Sequence, residues 1–169
     1  MLPGKFGNNI KMKVLITGNL GYVGSELVKY LRNSYPKCFI AGFDTGYFNN
    51  LLTTTEPPPE RCLDLQYYGD VRNFDFNILD GYDYVVHLAA ISNDPMGNEF
   101  KKVTYDINFS FSAELVKESI SRNIKRFVFA SSCSVYGTDE NKARDENSEL
   151  NPLTEYAISK VNTEKTIKN

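Results

Sequence analysis

Thr17-Gly18-Asn19-Leu20-Gly21-Tyr22-Val23-Gly24 follows directly on the apolar, β-rich run of residues 12–17, and residues 25–32 after it carry Leu27, Val28 and Leu31 at helical spacing. A strand, a glycine turn and a helix therefore succeed one another without a break. In such a turn Gly18 permits the tight bend, Gly21 lets the backbone approach a ligand, and Gly24 lets the helix pack closely on the strand. The helix N-terminus adds free N–H groups and the positive end of the helix dipole, which together suit a phosphate. The spacing is GxxGxxG, one residue away from the general dinucleotide fingerprint. A glycine triplet alone also fits a plain flexible connection, but its place between a β run and an amphipathic helix favours a pyrophosphate. Gly18, Leu20, Gly21, Tyr22, Val23 and Gly24 are the candidate contacts.

Outward from the turn, strands and helices alternate. Residues 38–44 read as a second strand, 45–63 with Pro57-Pro58-Pro59 as a long loop, and 65–68 as a short third strand. Residues 84–90, Tyr-Val-Val-His-Leu-Ala-Ala, form the continuous apolar run of a strand buried on both faces. A helix from about residue 99 or 104 to 122 leads to a fifth strand at 126–131, and a last helix at 154–167 is entered through Asn151-Pro152. This alternation predicts an α/β fold, a Rossmann-type doubly wound parallel sheet with its ligand at the carboxyl ends of the strands. Residues 11–169 are read as one nucleotide-binding domain and residues 1–10, rich in Gly and Asn, as a leader outside it.

The 169 residues are 41% hydrophobic, enough for one sizeable core, and the net charge of -2 arises from dispersed charges. No basic block suggests a nucleic acid or an anionic membrane. No apolar stretch reaches the length of a signal peptide or membrane span, so a cytoplasmic protein is expected. Cys38, Cys62 and Cys133 are widely spaced without a CxxC pair, which predicts reduced thiols and no metal site.

Two further features narrow the chemistry. Asp44 lies about 20 residues beyond the last glycine, where a carboxylate can accept the ribose hydroxyls of an adenosine and repel a 2′-phosphate. No Arg or Lys follows in residues 45–52 to neutralise such a phosphate, so NAD is favoured over NADP. Tyr156 and Lys160 stand at i and i+4 on one face of the last helix. A nearby lysine cation and an oxidised nicotinamide both favour the phenolate, so Tyr156 can exchange a proton with a substrate hydroxyl. Ser131-Ser132-Cys133-Ser134, at the end of the fifth strand, supplies hydroxyls to orient the same oxygen. A buried structural imidazole is the expected role of His87, the only histidine.

Taken in order, T-G-x-x-G-x-x-G at Thr17–Gly24, G-D-V-R at Gly69–Arg72, H-L-A-A at His87–Ala90, Asn108, S-S-x-x-V-Y-G at Ser131–Gly137 and Y-x-x-x-K at Tyr156–Lys160 resemble the extended short-chain dehydrogenase/reductases, especially the sugar-nucleotide epimerases and dehydratases. The resemblance implies Ser132 as the catalytic hydroxyl, Tyr156 as acid/base and Lys160 as its partner, which also holds the nicotinamide ribose. It implies that Asp70 and Val71 hold the adenine, that Leu88, Ala89 and Ala90 line the cofactor, and that Asn108 supports the site. It also implies a nucleotide-sugar substrate and a homodimer through the helices at 104–122 and 154–167. The sequence departs from the pattern in three places. Cys133 and Ser134 stand where the 4,6-dehydratases carry Asp and Glu, which favours a 4-epimerase-like reaction. Phe109 and Phe111 replace small residues, and the loop 91–100 matches no particular substrate. Family members continue past the last helix into a substrate domain, so the chain is expected to be the N-terminal part. An NAD-dependent epimerase or oxidoreductase is the leading expectation. A dehydratase or reductase, a non-catalytic NAD(P)-binding module and an inactive fragment are the alternatives.

Overall fold

The computed structural model describes residues 12–47, 58–92, 99–138 and 143–168. The expected leader at 1–10, most of the proline-containing loop and residues 93–98 of the 91–100 loop lie outside the described residues. The chain divides into two units, one comprising Met1–Ala89 and Ser119–Phe129, the other Ala90–Glu118 and Ala130–Asn169.

The first unit is a Rossmann-like parallel sheet of five strands, β1 Lys13–Thr17, β2 Phe39–Asp44, β3 Leu65–Tyr68, β4 Tyr84–His87 and β5 Arg126–Phe129. Their order is β3-β2-β1-β4-β5, and every pairing is parallel. The strand order reverses beside β1, so the turn after β1 sits at the switch point where such sheets take ligands. Helix α1, Tyr22–Ser34, begins immediately after Gly21, three residues earlier than its apolar spacing predicts. On one face of the sheet Val14, Ile16, Cys38 and Ile40 bury against Val28 of α1. On the other, Phe43 meets Phe74 edge-on at 4.7 Å, and Phe74 meets Phe76 at 5.3 Å. Arg32 closes the lower end of α1: its guanidinium donates to the carbonyls of Cys62, Pro36 and Cys38 and pairs with Asp64 at 2.5 Å.

Two expected strands are shorter than read. β4 stops at His87 and β5 at Phe129, because the residues after them leave the ladder as loop. An apolar run cannot by itself mark where pairing ends.

The second unit is helical. The stretch expected as one helix is broken into α2, Lys101–Tyr105, a π-helical turn, Asp106–Ser110, and α3, Phe111–Ser121, whose last three residues belong to the first unit. Helix α4, Glu155–Lys168, packs against α2 and the π turn. Thr154 caps α4 by accepting from Ala157 N–H at 3.1 Å. Among the described residues no helix is long and apolar enough to cross a membrane.

Candidate functional site

Each unit carries part of the chemistry expected from the sequence. In the first, the glycines of the turn have different physical reasons. Gly18 sits at φ +76°, and a Cβ there would stand 2.6 Å from the Ala89 nitrogen. Leu88 and Ala89 thus leave β4 directly against the turn. A Cβ on Gly24 would fall inside 3.0 Å of the Gly18 carbonyl oxygen and Asn19 Cα, so α1 can start here only on glycine. Gly21 is different. Its φ of −76° suits any residue, and an added Cβ would meet only the Gly18 oxygen at 3.3 Å among the described residues. The fold thus constrains Gly21 less than Gly18 or Gly24, and a missing Cβ there also suits the close approach of a ligand. Gly21 also caps α1 without a side-chain hydrogen bond, and the next two side chains, Tyr22 and Val23, are exposed. Among the described residues no side chain caps the first-turn N–H groups at the positive end of the helix.

Asp44, at the end of β2, accepts from the N–H groups of Leu20 at 3.1 Å and Gly46 at 2.9 Å. One oxygen takes each bond, so each keeps a lone pair for a further donor. The Asp44 carbonyl accepts from Gly69 N–H at 3.0 Å, which brings the Gly69–Arg72 segment beside it. Asp70 accepts from the Arg72 N–H at 2.9 Å and is clasped by its guanidinium, which holds the carboxyl below the usual carboxylate range. Val71 is buried. His87 is 1% exposed, lies 2.6 Å from the Thr17 hydroxyl through Nδ1, and stacks on Phe129 at 5.9 Å. Its surroundings match the structural role expected from the sequence.

In the second unit, Lys160 is 4% exposed and donates from Nζ to the Ala130 carbonyl at 2.8 Å. Burial pushes its pKa down to about 8. Nζ lies 5.5 Å from the centre of the Tyr156 ring, so the helical spacing does bring the pair together. Ala130 lies two residues before Ser132, and the lysine therefore also reaches the segment that carries the hydroxyl. Ser132 caps a 3₁₀ turn at Cys133–Tyr136, with Ser134 N–H donating to its Oγ at 3.2 Å. That turn is tied to the approach of α4: Asn151 N–H donates to the Val135 carbonyl at 2.9 Å, and Gly137, at φ +70°, leaves no room for a Cβ beside the Asn151 oxygen. Asn108 is buried, and its amide forms a two-way bridge to the backbone of Ile91, accepting from N–H at 2.8 Å and donating to the carbonyl at 2.9 Å. It fixes Ile91, the residue that follows half-buried Ala90.

Several contributors were not singled out by the sequence reading. Ser159 Oγ donates to the Tyr156 carbonyl at 2.6 Å, and Thr163 Oγ1 contacts the carbonyls of Ser159 at 3.0 Å and Asn108 at 3.1 Å. Both hydroxyls look like ordinary helix polar residues in sequence. Asn19, fully buried under the glycine turn, carried no local signal either, but Gly42, inside an apolar strand, did. A strand-interior glycine marks the close approach of another group.

Residues 14–169 match the family described as the NAD dependent epimerase/dehydratase family. A UDP-glucose epimerase of Bacillus subtilis, itself uncharacterized, is 31% identical over 161 residues, covering 91% of this chain and 50% of that protein. Among solved structures, a UDP-N-acetylglucosamine 4-epimerase from Methanobrevibacter ruminantium is similar at a TM-score of 0.80 and 29% identity, over 93% of this chain and 49% of that one. MoeE5, in complex with UDP-glucose and NAD, is similar at a TM-score of 0.77 and 27% identity, over 92% and 48%. The chain spans about half the length of the curated relatives it matches. By its motifs, its sheet and these matches, the chain belongs to the NAD-dependent epimerase/dehydratase family.

Proposed function

We propose that the chain is the cofactor-binding and proton-transfer part of an NAD-dependent epimerase acting on a nucleotide-linked sugar. The observation that carries this reading is Lys160. A buried lysine brought to about pKa 8, on the helix face of Tyr156 and reaching the strand-end segment of Ser132, is costly to keep for structure alone. A nearby ammonium favours the phenolate of Tyr156, which then takes the proton of a sugar hydroxyl or returns it to a keto oxygen. Ser132 would orient that oxygen.

The first unit fits NAD. The first turn of α1, without a side-chain cap among the described residues, and the missing Cβ at position 21 suit a pyrophosphate. Asp44 keeps acceptor capacity for ribose hydroxyls and sets a negative charge where NADP carries its 2′-phosphate. Asp70, Val71, Leu88, Ala89 and Ala90 would line the adenine and nicotinamide ends. Asn108 would act through the Ile91 loop. When bound, NAD supplies the hydride acceptor and donor.

An epimerase is favoured over a dehydratase because Cys133 and Ser134 lack the carboxylates an elimination needs. The test is calorimetric titration of the chain with NAD and NADP, followed by incubation of a form extended to the length of its relatives with NAD and UDP-glucose or UDP-N-acetylglucosamine and separation of the products. Binding of NAD in preference to NADP and a 4-epimer product are expected, with the product lost by about a hundredfold or more in Tyr156→Phe. A 4-keto-6-deoxy product would replace the epimerase with a dehydratase. NAD binding with no turnover would leave a non-catalytic module, and tighter NADP binding would overturn the role of Asp44.

A further inference from the structure

The side chains of residues 40, 42 and 44 of β2, and of Cys38 just before it, share one face of the sheet. Cys38 and Ile40 fill that face with α1, but Gly42 contributes no side chain and leaves a socket. The carboxamide of Asn19 occupies it. A Cβ on Gly42 would fall inside 3.0 Å of the Asn19 Cγ, Oδ1 and Nδ2 atoms, and Asn19 has no exposed surface. Asn19 Nδ2 donates to Gln66 Oε1 at 2.6 Å, and Gln66 Nε2 donates to the Tyr67 carbonyl at 2.7 Å. Gln66 lies opposite Gly42 in the β2–β3 register, so the two amides meet over the interior of this strand pair.

The neighbours of Asn19 are tied to the same strand. Gly18 N–H donates to the Phe43 carbonyl at 2.8 Å, and Leu20 N–H to Asp44. Three successive turn residues thus meet three successive residues of β2, Gly18 through backbone alone, Asn19 through its own side chain and Leu20 through the side chain of Asp44. Asn19 Cα is also one of the atoms on which Gly24 packs. An apolar side chain could fill the socket, but it would not fix the turn in direction, because hydrogen bonds rather than dispersion carry orientation.

The geometry points to Asn19, with Gln66 and the socket of Gly42, as a buried amide clamp that positions the glycine turn to receive the pyrophosphate of a dinucleotide. Asn19 is a positioning residue. The inference rests on the proposed binding of NAD at this turn.

The test is the NAD dissociation constant of the 169-residue chain and of Asn19→Ala, Gly42→Ala, Gln66→Met and the Asn19→Ala/Gly42→Ala pair, each checked for folding by circular dichroism. Asn19→Ala and Gly42→Ala should each weaken NAD by about tenfold, the worth of one buried hydrogen-bonded contact. The double variant should bind no more weakly than either alone, because the new Cβ enters space that Asn19 has vacated. Gln66→Met, which keeps the volume and deletes the hydrogen bonds, carries the test if Gly42→Ala does not fold. Arg32→Ala is the control: it removes a comparable set of bonds at the other end of α1, so it should lower stability while leaving NAD affinity unchanged. Folded Asn19 and Gln66 variants that bind within about twofold of the parent would overturn the clamp. Independent, multiplying losses from Asn19→Ala and Gly42→Ala would overturn it too. Failure of the parent chain itself to bind NAD would overturn the cofactor reading, and the clamp with it.

Discussion

The glycine turn of the first unit is held by atoms that cannot be exchanged, whereas the Tyr156–Lys160 helix of the second is held by hydroxyls that could each be lost alone. At the turn, Gly18 and Gly24 are locked by backbone contacts that exclude a single methyl group, and Gly18 needs a left-handed φ as well. On α4, the Ser159 hydroxyl bonds back to the Tyr156 carbonyl of the same helix, and the Thr163 hydroxyl lies between the Ser159 carbonyl and that of Asn108 in the neighbouring π turn. The difference follows from what each part must present. A phosphate is recognised by backbone N–H groups, whose directions depend on chain path, and chain path is set by sterics. A proton is moved by side chains, and a helix that carries them tolerates small shifts. The turn should therefore fail sharply, and the helix gradually.

The largest expected effect is at the turn. Gly18→Ala forces a non-glycine residue to positive φ and a Cβ into the Ala89 backbone, for a combined loss of about 4 kcal/mol. Urea denaturation followed by circular dichroism measures it. A loss below about 1 kcal/mol would show that the turn can shift, and the contrast with α4 would disappear.

Lys160 comes next, and its effect depends on pH. A lysine whose pKa falls on folding has lost its proton in the folded state while the unfolded chain still holds it, here between about pH 8 and 10.5. Across that window the unfolded state binds more protons, so stability rises with pH; below pH 8 the full cost of the buried charge is present. The wild type should gain up to about 3 kcal/mol relative to Lys160→Met between those limits. Cys38 and Tyr82, both raised by burial, oppose the trend above pH 9 but cancel between the two proteins. Parallel pH profiles would mean that the amine is not held uncharged by its surroundings.

The two regions also differ in how much of them the sequence makes legible. The turn is legible because its constraints are local: an apolar run, three glycines and a helical repeat lie within one segment, and Asp44 sits at the distance that the strand-helix-strand repeat imposes. The positions of all five strands follow from the same kind of signal. What the sequence reading does not reach depends on contacts between distant segments. Nothing local marks β4 as ending at His87 rather than Ala90, since both choices are equally apolar. The π turn at Asp106–Ser110 is invisible to a helical repeat. Asn19 reads as a turn filler until Gly42 and Gln66, 23 and 47 residues away, are placed beneath it. On α4 the pairing of Tyr156 with Lys160 is legible from spacing, but the burial that depresses the lysine is not.

Asn108→Ala sharpens the comparison from the other side, because Asn108 is the one side chain of the second unit that behaves like the turn. Its amide closes two hydrogen bonds on the backbone of a single residue, and its loss would leave the N–H and carbonyl of Ile91 without them, at a cost of about 2 kcal/mol. Hydrogen exchange should accelerate at Ile91 in particular. If exchange rises uniformly instead, Asn108 serves general packing and not the loop.

The smallest effect is expected at Thr163, where the gradual behaviour of α4 is tested most directly. Thr163→Val keeps the shape of the side chain and deletes only the hydroxyl. The Ser159 carbonyl lies within the helix and can share its intrahelical N–H, and the Asn108 carbonyl still accepts from Ser112 Oγ at 2.8 Å. No acceptor is stranded, so the loss should be about 1 kcal/mol, the net value of one hydrogen bond. Tyr156 should keep its place, because Ser159 anchors its carbonyl independently. A double variant, Thr163→Val with Ser159→Ala, should lose roughly the sum of the two single losses, since separate bonds add. A loss well beyond that sum would show the hydroxyls acting as one lock, and α4 would then break as sharply as the turn.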